Sequence, residues 1–256
     1  MIDHASDAAS ETAGYDLLFY FDPVCPFAWL TSRWVEMVAE QRDYAVDWRF
    51  ISLRILNKDK DYDREFPPEY EAGHSAGLRL LRMAAAVRET EGRQVMGPLY
   101  AAISTTIFDV ARPSTERETR TQWGTSDHVL PILAELGLDA SYADALDDES
   151  YDDVIEEDTE EALALAGRDV GTPILAFDPP TGPAFFGPVI SRLPAPEDAV
   201  PLWDAVMTLT SHPGFAELKR SLRERPQLRS FGIEPGQPGV IEDWHGGSRR
   251  LKSEKG

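Results

Sequence analysis

Five apolar residues in a row, Leu17, Leu18, Phe19, Tyr20 and Phe21, lead directly into Asp22-Pro23-Val24-Cys25-Pro26. A run without polar alternation reads as a strand covered on both faces. Proline suits the first position of a helix, where its missing N–H has no partner in any case. The pattern therefore predicts a strand over 15–21, a tight turn, and a helix with Cys25 as its N-cap. Phe27, Leu30, Trp34 and Val38 continue that helix at the proper spacing to about residue 42. Unpaired amides and the positive end of the helix dipole favour a thiolate, so the turn predicts a lowered pKa and a nucleophilic sulfur at Cys25. The spacing is that of a CxxC redox turn, with Ala28 standing where the second cysteine would be. The chain of 256 residues has no other cysteine, which excludes an intramolecular disulfide.

Residues 44–53 alternate Val46, Trp48 and Phe50 with Asp47, Arg49 and Ile51, a strand pattern that completes a βαβ unit. The polar stretch 57–71, with Pro67-Pro68, predicts a loop. Helical periodicity then dominates for about a hundred residues. One helix is marked by Leu78, Leu81, Ala85 and Arg88, and another by Val95, Leu99, Ala102, Ile103 and Ile107. Others are expected over 127–136, 141–146 and 151–166, the first capped by Ser126 or Asp127 and stopped by Gly137. Strand character returns at 173–177 and 184–189 around a Pro-Pro-Thr-Gly turn, which predicts an antiparallel hairpin. Helices over 197–211 and 215–223 follow. The order β-α-β, helical insertion, β-β-α is that of an α/β thioredoxin-like fold with a helical insertion domain. Its expected division is a disordered leader over 1–14, a thioredoxin-like domain over 15–56 and 168–230, a helical lid over 57–167, and a flexible tail over 231–256.

A formal charge of −20 argues against nucleic acid or an anionic membrane surface as a partner, because phosphate binding needs clustered Lys and Arg. No stretch approaches the roughly 18 consecutive apolar residues of a membrane span. The first fourteen residues carry no Lys or Arg and no apolar core of signal-peptide length. With a single thiol and no disulfide framework, a cytoplasmic location is the expectation. The carboxylates between Asp152 and Glu161 read as a solvated helix face, since no His or Gly turn is interleaved with them. No histidine spacing suggests a metal site, and no GxGxxG or P-loop supports dinucleotide binding.

Four segments in order, 21–34 (FDPVCPFAWLTSRW), 169–173 (DVGTP), 185–190 (FFGPVI) and 213–219 (PGFAELK), resemble the actinobacterial DsbA-like family, which includes the mycothiol-dependent nitroreductases. The likeness runs from about residue 15 to about 225. It implies a cytoplasmic thiol oxidoreductase of DsbA-like fold, with no tightly bound cofactor and with a low-molecular-weight thiol, mycothiol, as co-substrate. The implied substrate is a small molecule or a mixed disulfide. Thr172-Pro173 stands where thioredoxin-like proteins place a cis-proline beside the active sulfur. Carried over residue by residue, the resemblance gives Cys25 as catalytic. It gives Pro26, Phe27, Trp29, Asn57, Tyr70, Thr172 and Pro173 as contacts for thiol or substrate, with Phe27 and Trp29 walling the sulfur. Members with two cysteines read Cys-Pro-Trp-Cys at the turn; here Cys25-Pro26-Phe27-Ala28 keeps the nucleophile and loses the resolving thiol, which leaves monothiol chemistry. A transferase or isomerase like the kappa-class glutathione transferases, and a non-catalytic binding protein, stay open as alternatives, as does a homodimer.

Overall fold

Strand β1 (Leu17–Phe21) is buried along its whole length because it is flanked on both edges and covered on both faces. Strand β2 (Val46–Phe50) pairs with it in parallel, β3 (Ile174–Phe177) pairs antiparallel on the other edge, and β4 (Ala184–Phe186) extends β3, giving the order β2-β1-β3-β4. Leu17, Phe19 and Phe21 face the main core, while Leu18 and Tyr20 face a second cluster with Ile174 and Ala176. The missing alternation in the sequence thus has its cause in a doubly covered central strand. The computed structural model describes residues 14–111, 117–233, 237, 239–245 and 248–249.

Helix α1 (Pro26–Ala39) follows the turn and buries Trp29, Leu30, Trp34, Val35 and Val38. Between β2 and β3 the chain builds the helical insertion, in the order α2 (Leu53–Leu56), α3 (Tyr62–Glu65), α4 (Tyr70–Glu91), α5 (Met96–Phe108), α6 (Arg117–Gln122), α7 (Ser126–Glu135) and α8 (Asp152–Ala166). Helix α9 (Pro196–Thr210) returns to α1, where Trp203 meets Trp34 edge-on at 5.3 Å and the Trp34 indole donates to the Ala199 carbonyl at 2.9 Å. No helix among the described residues is long and apolar enough to cross a membrane.

Several expectations are adjusted. The stretch expected as a loop over 57–71 carries the short helix α3 and the start of α4. Thr125 caps α7, one residue before the two candidates, with its hydroxyl accepting from the His128 amide at 3.3 Å. Gly137 does end that helix, at a φ of 68° that favours glycine. Residues 141–146 lie in a 3-10 segment, Ala140–Asp147. The helix expected over 215–223 does not form. Leu218, on its would-be apolar face, is 86% exposed, and a short helix with nothing to bury against has little to hold it. Instead β5 (Leu222–Glu224) pairs with β6 (Ile241–His245), which pairs with β7 (Ser248–Arg249). The region expected as a tail over 231–256 therefore contains two strands, and the rest of it lies largely outside the described residues. Residues 1–13 of the expected leader lie outside them as well.

The carboxylates of α8 are not simply a solvated face. Asp158 is buried, bonded to Arg88 at 2.5 Å, and accepts from the Phe50 amide at 3.0 Å. The Arg88 guanidinium in turn lies 4.1 Å over the Phe50 ring. Glu161 pairs with Arg49 at 2.6 Å and Asp152 with Arg82 at 2.7 Å. The helix crosses the end of β2 beside α4, and arginines from both supply the counter-charge on that side; Asp153, Glu156, Glu157 and Glu160 stay on the solvated side. Removing the acid while leaving Arg88 buried would strand a charge. Asp158→Ala is expected to cost about 3–5 kcal/mol in urea unfolding, against roughly 0.5 kcal/mol or less for Asp153→Ala on the solvated side.

Candidate active site

Cys25 is the N-cap of α1, in extended conformation, with Pro26 at the first helical position. Its sulfur accepts from the Ala28 amide at 3.4 Å, one of the donors that a helix start leaves unpaired. The thiol donates to the Thr172 carbonyl at 3.5 Å, which brings the start of β3 against the sulfur. The Thr172-Pro173 peptide is cis, and the Pro173 carbonyl accepts from the Gly187 amide at 2.9 Å.

Behind the turn sits Asp22, fully buried. One carboxylate oxygen accepts from the Val24 amide at 3.0 Å and the other from the Leu53 amide at 2.7 Å, so the cysteine turn is tied to the start of α2. Gly77 of α4 packs so closely here that a Cβ on it would lie 2.8 Å from Asp22 Oδ1. Burial pushes the Asp22 carboxyl up to about 7, against the pull of its two amide donors.

Electrostatics at the sulfur correct one expectation. The helix amides do lower the thiol pKa, but Cys25 is only 6% exposed, and burial, aided by the Asp22 charge, pushes it up to about 12. Arg223 acts with the amides in the lowering direction. Desolvation thus outweighs the helix terminus, and the resting side chain is a thiol.

The sulfur opens onto a cleft of about 1510 Å³ between the sheet, the lid and the C-terminal segment. Cys25, Pro26, Phe27, Asn57, Tyr70 and Thr172 all line it. Asn57 caps α2 and donates to the Leu53 carbonyl at 2.8 Å. Tyr70 stacks on Phe66 at 5.8 Å, with the Arg120 guanidinium 5.2 Å from its ring. Trp29 and Pro173 are not in the lining. Trp29 turns to the core face of α1, 1% exposed, where its indole donates to Asp109 at 3.1 Å and its ring meets Tyr100 edge-on. It walls the core rather than the sulfur. Pro173 is buried.

Three side chains went unread in the sequence. Asp22 lies inside the quoted turn, and an acid closing an apolar strand was a usable signal. His74, buried beside Tyr62 with a 2.9 Å contact to its hydroxyl, is held neutral, pushed down to about 3 by burial and by Arg120 and Arg54. Arg223, half-buried and 5.7 Å over the Phe27 ring, comes from β5, where no local motif marked it.

Because the thiolate is the reacting form, a raised pKa means slow alkylation at neutral pH. Iodoacetamide labelling of the native protein is expected to climb about tenfold per pH unit from 7 to 10 without levelling, whereas an ordinary thiol of pKa ~8.5 would level off by roughly pH 9.5. A plateau below pH 9 would contradict the burial argument.

The family model described as mycothiol-dependent nitroreductase Rv2466c matches residues 24–220. The uncharacterised protein Rv2286c of Mycobacterium tuberculosis is 31% identical over 208 residues, covering 79% of this chain and 80% of its own. Among solved structures, the cytosolic disulfide reductase DsbM from Pseudomonas aeruginosa is 17% identical with a TM-score of 0.43, over 75% of this chain and 98% of its own. A 2-hydroxychromene-2-carboxylate isomerase is 14% identical with a TM-score of 0.46, over 75% of this chain and 95% of its own. Likenesses at that level bear on neither activity nor substrate. The family match takes in all six predicted residues that line the cleft and stops short of Arg223. On the extent of that match and the identity to its mycobacterial relative, the chain belongs to the Rv2466c-like family of mycothiol-dependent nitroreductases and is a thiol-dependent oxidoreductase.

Proposed function

We propose that the protein is a monothiol reductase in which Cys25 carries the covalent step and an external thiol, mycothiol, completes it. The observation that carries this reading is the Cys25 sulfur at a helix N-cap, facing a large cleft, with Ala28 rather than a second sulfur at the position of its 3.4 Å amide donor. A mixed disulfide X–S–S–R, with R the low-molecular-weight thiol, gives a balanced cycle. The Cys25 thiolate attacks the sulfur of R; the S–S electron pair leaves with X as a thiolate that takes a proton from solvent, and Cys25–S–S–R forms. A second thiolate of R then attacks the R sulfur, releasing the symmetrical disulfide R–S–S–R and returning the Cys25 thiolate. Net, X–S–S–R and one RSH become XSH and R–S–S–R.

Burial lowers the fraction of thiolate but makes each thiolate a stronger nucleophile, because nucleophilicity rises with thiol pKa. The Ala28 amide is placed to stabilise negative charge on the sulfur both before attack and as it departs in the resolving step. Pro26, Phe27, Asn57, Tyr70 and Thr172 are proposed as contacts for thiol or substrate, since all line the same cleft as the sulfur. Phe27, Phe66, Tyr70 and Phe186 give that cleft an aromatic lining suited to a flat small molecule, which favours nitroaromatic reduction as a second reading. There, ArNO2 and two RSH would give ArNO, R–S–S–R and water. A cytoplasmic location accompanies both readings, as the compartment that keeps such a thiol reduced.

Intact mass spectrometry after incubation with mycothiol disulfide tests the covalent step. One thiol adduct per chain is expected, absent in Cys25→Ser, and Ala28→Cys should convert the adduct to an internal disulfide two mass units below the reduced protein. No adduct at any pH, together with full activity of Cys25→Ser, would sink the proposal and leave a transferase-like or purely binding role.

A further inference from the structure

The C-terminal strands carry several charges into the cleft, and they are nearly all committed. Arg192 pairs with Glu224, and Arg225 bonds to Glu242 at 2.8 Å. Arg223 sits between these pairs in sequence but on the opposite face of β5 from Glu224, since neighbouring strand residues point to opposite sides. Its Nε donates to the Arg220 carbonyl at 3.2 Å, which fixes the direction of the guanidinium, and the head group lies 5.7 Å over Phe27, two residues from the nucleophile. Among the described residues no carboxylate lies within ion-pair distance of it. A half-buried guanidinium without a counter-ion is costly to keep, so its placement beside a latent anion calls for an explanation.

The charged and titratable groups that face the sulfur are few. Asp22 approaches from the β1–α1 turn and raises the thiol pKa; Arg223 approaches from β5 and lowers it. Tyr100 of α5 faces it from the core with its hydroxyl held protonated by burial. The side chains packed directly on Cys25 and its neighbours, Leu53 and Val189, are apolar. Of these groups Arg223 is the cation, and like the sulfur it lines the cleft.

We propose that Arg223 is a positioning residue for Cys25: it supplies the positive charge that holds the sulfur as a thiolate whenever the thiol gives up its proton to solvent, and again when the sulfur leaves in the resolving step. The inference rests on Cys25 being the reacting group. It also gives the C-terminal sheet, which lies beyond the stretch matched by the family, a part in the chemistry.

The test reads the sulfur directly, so it does not depend on turnover. Native protein and the Arg223→Gln and Arg223→Lys variants are alkylated at pH 8.5 with neutral iodoacetamide and with anionic iodoacetate. One unit of thiol pKa is a tenfold change in thiolate at fixed pH. Arg223→Gln is expected to slow iodoacetamide by about three- to tenfold and iodoacetate by more, because it loses attraction for the reagent as well. Arg223→Lys should recover most of both rates, and added salt should narrow the gap between the two reagents in the native protein only. If Arg223→Gln reacts as fast as native or faster with both reagents, with Arg223→Lys behaving alike, the guanidinium merely covers the site and the proposal is overturned. Loss of the Cys25 mixed disulfide with these alkylation differences intact would instead defeat the monothiol cycle and leave the charge assignment standing.

Discussion

Asp22 is where the three parts of the site are joined. Its carboxyl takes the Val24 amide from the cysteine turn and the Leu53 amide from the first turn of α2, and it rests against Gly77 in α4. A buried acid with only two backbone donors is expensive unless the geometry is held, and the raised pKa is the sign of that expense. Gly77 matters for the same reason: a side chain there would push on Asp22 and Val24 together. The lid and the nucleophile are thus positioned by one side chain, and its charge state is felt at the sulfur.

A second anchor lies close by, at the C-terminal end of β2, where Asp158 and Thr159 of α8 accept the amides of Phe50 and Ser52. With Asp22 accepting the Leu53 amide, three amides over residues 50–53, just ahead of Asn57, are fixed by buried side chains. The cleft is consequently bounded by groups whose backbone positions are set by buried hydrogen bonds. Such a frame suits a site in which the chemistry falls to one sulfur and one incoming thiol.

Much of this was legible in the chain. The run 17–21, the Cys25-Pro26 helix start and the lid periodicities are local signals, and local signals survive folding. The helix misread over 215–223 shows the opposite case: Phe215, Leu218 and Leu222 have helical spacing, but the partner that decides the matter is β6, some twenty residues on, which pairs Leu222 with Asp243. Trp29 has the composition of a pocket wall, yet its place one turn from Cys25 puts it on the core face. The thiol pKa failed in sign because a helix N-terminus is visible in sequence while the degree of burial is a sum over Leu53, Val189 and other distant neighbours. Arg223 was invisible for the same reason, its meaning set wholly by what lies across the cleft.

Under the proposed monothiol scheme, Ala28 sets the kinetics. In the proposed cycle, with no thiol to attack it from within, a mixed disulfide on Cys25 waits for a second molecule, and turnover is only as fast as that molecule's arrival. The most direct measurement is the steady-state reduction of a mycothiol mixed disulfide as reduced mycothiol is varied at fixed substrate. The account predicts a rate that rises in proportion to mycothiol at low concentration, with the Cys25 adduct accumulating in quenched samples as the thiol is withdrawn. A rate independent of mycothiol, or turnover with no adduct at any thiol concentration, would contradict it.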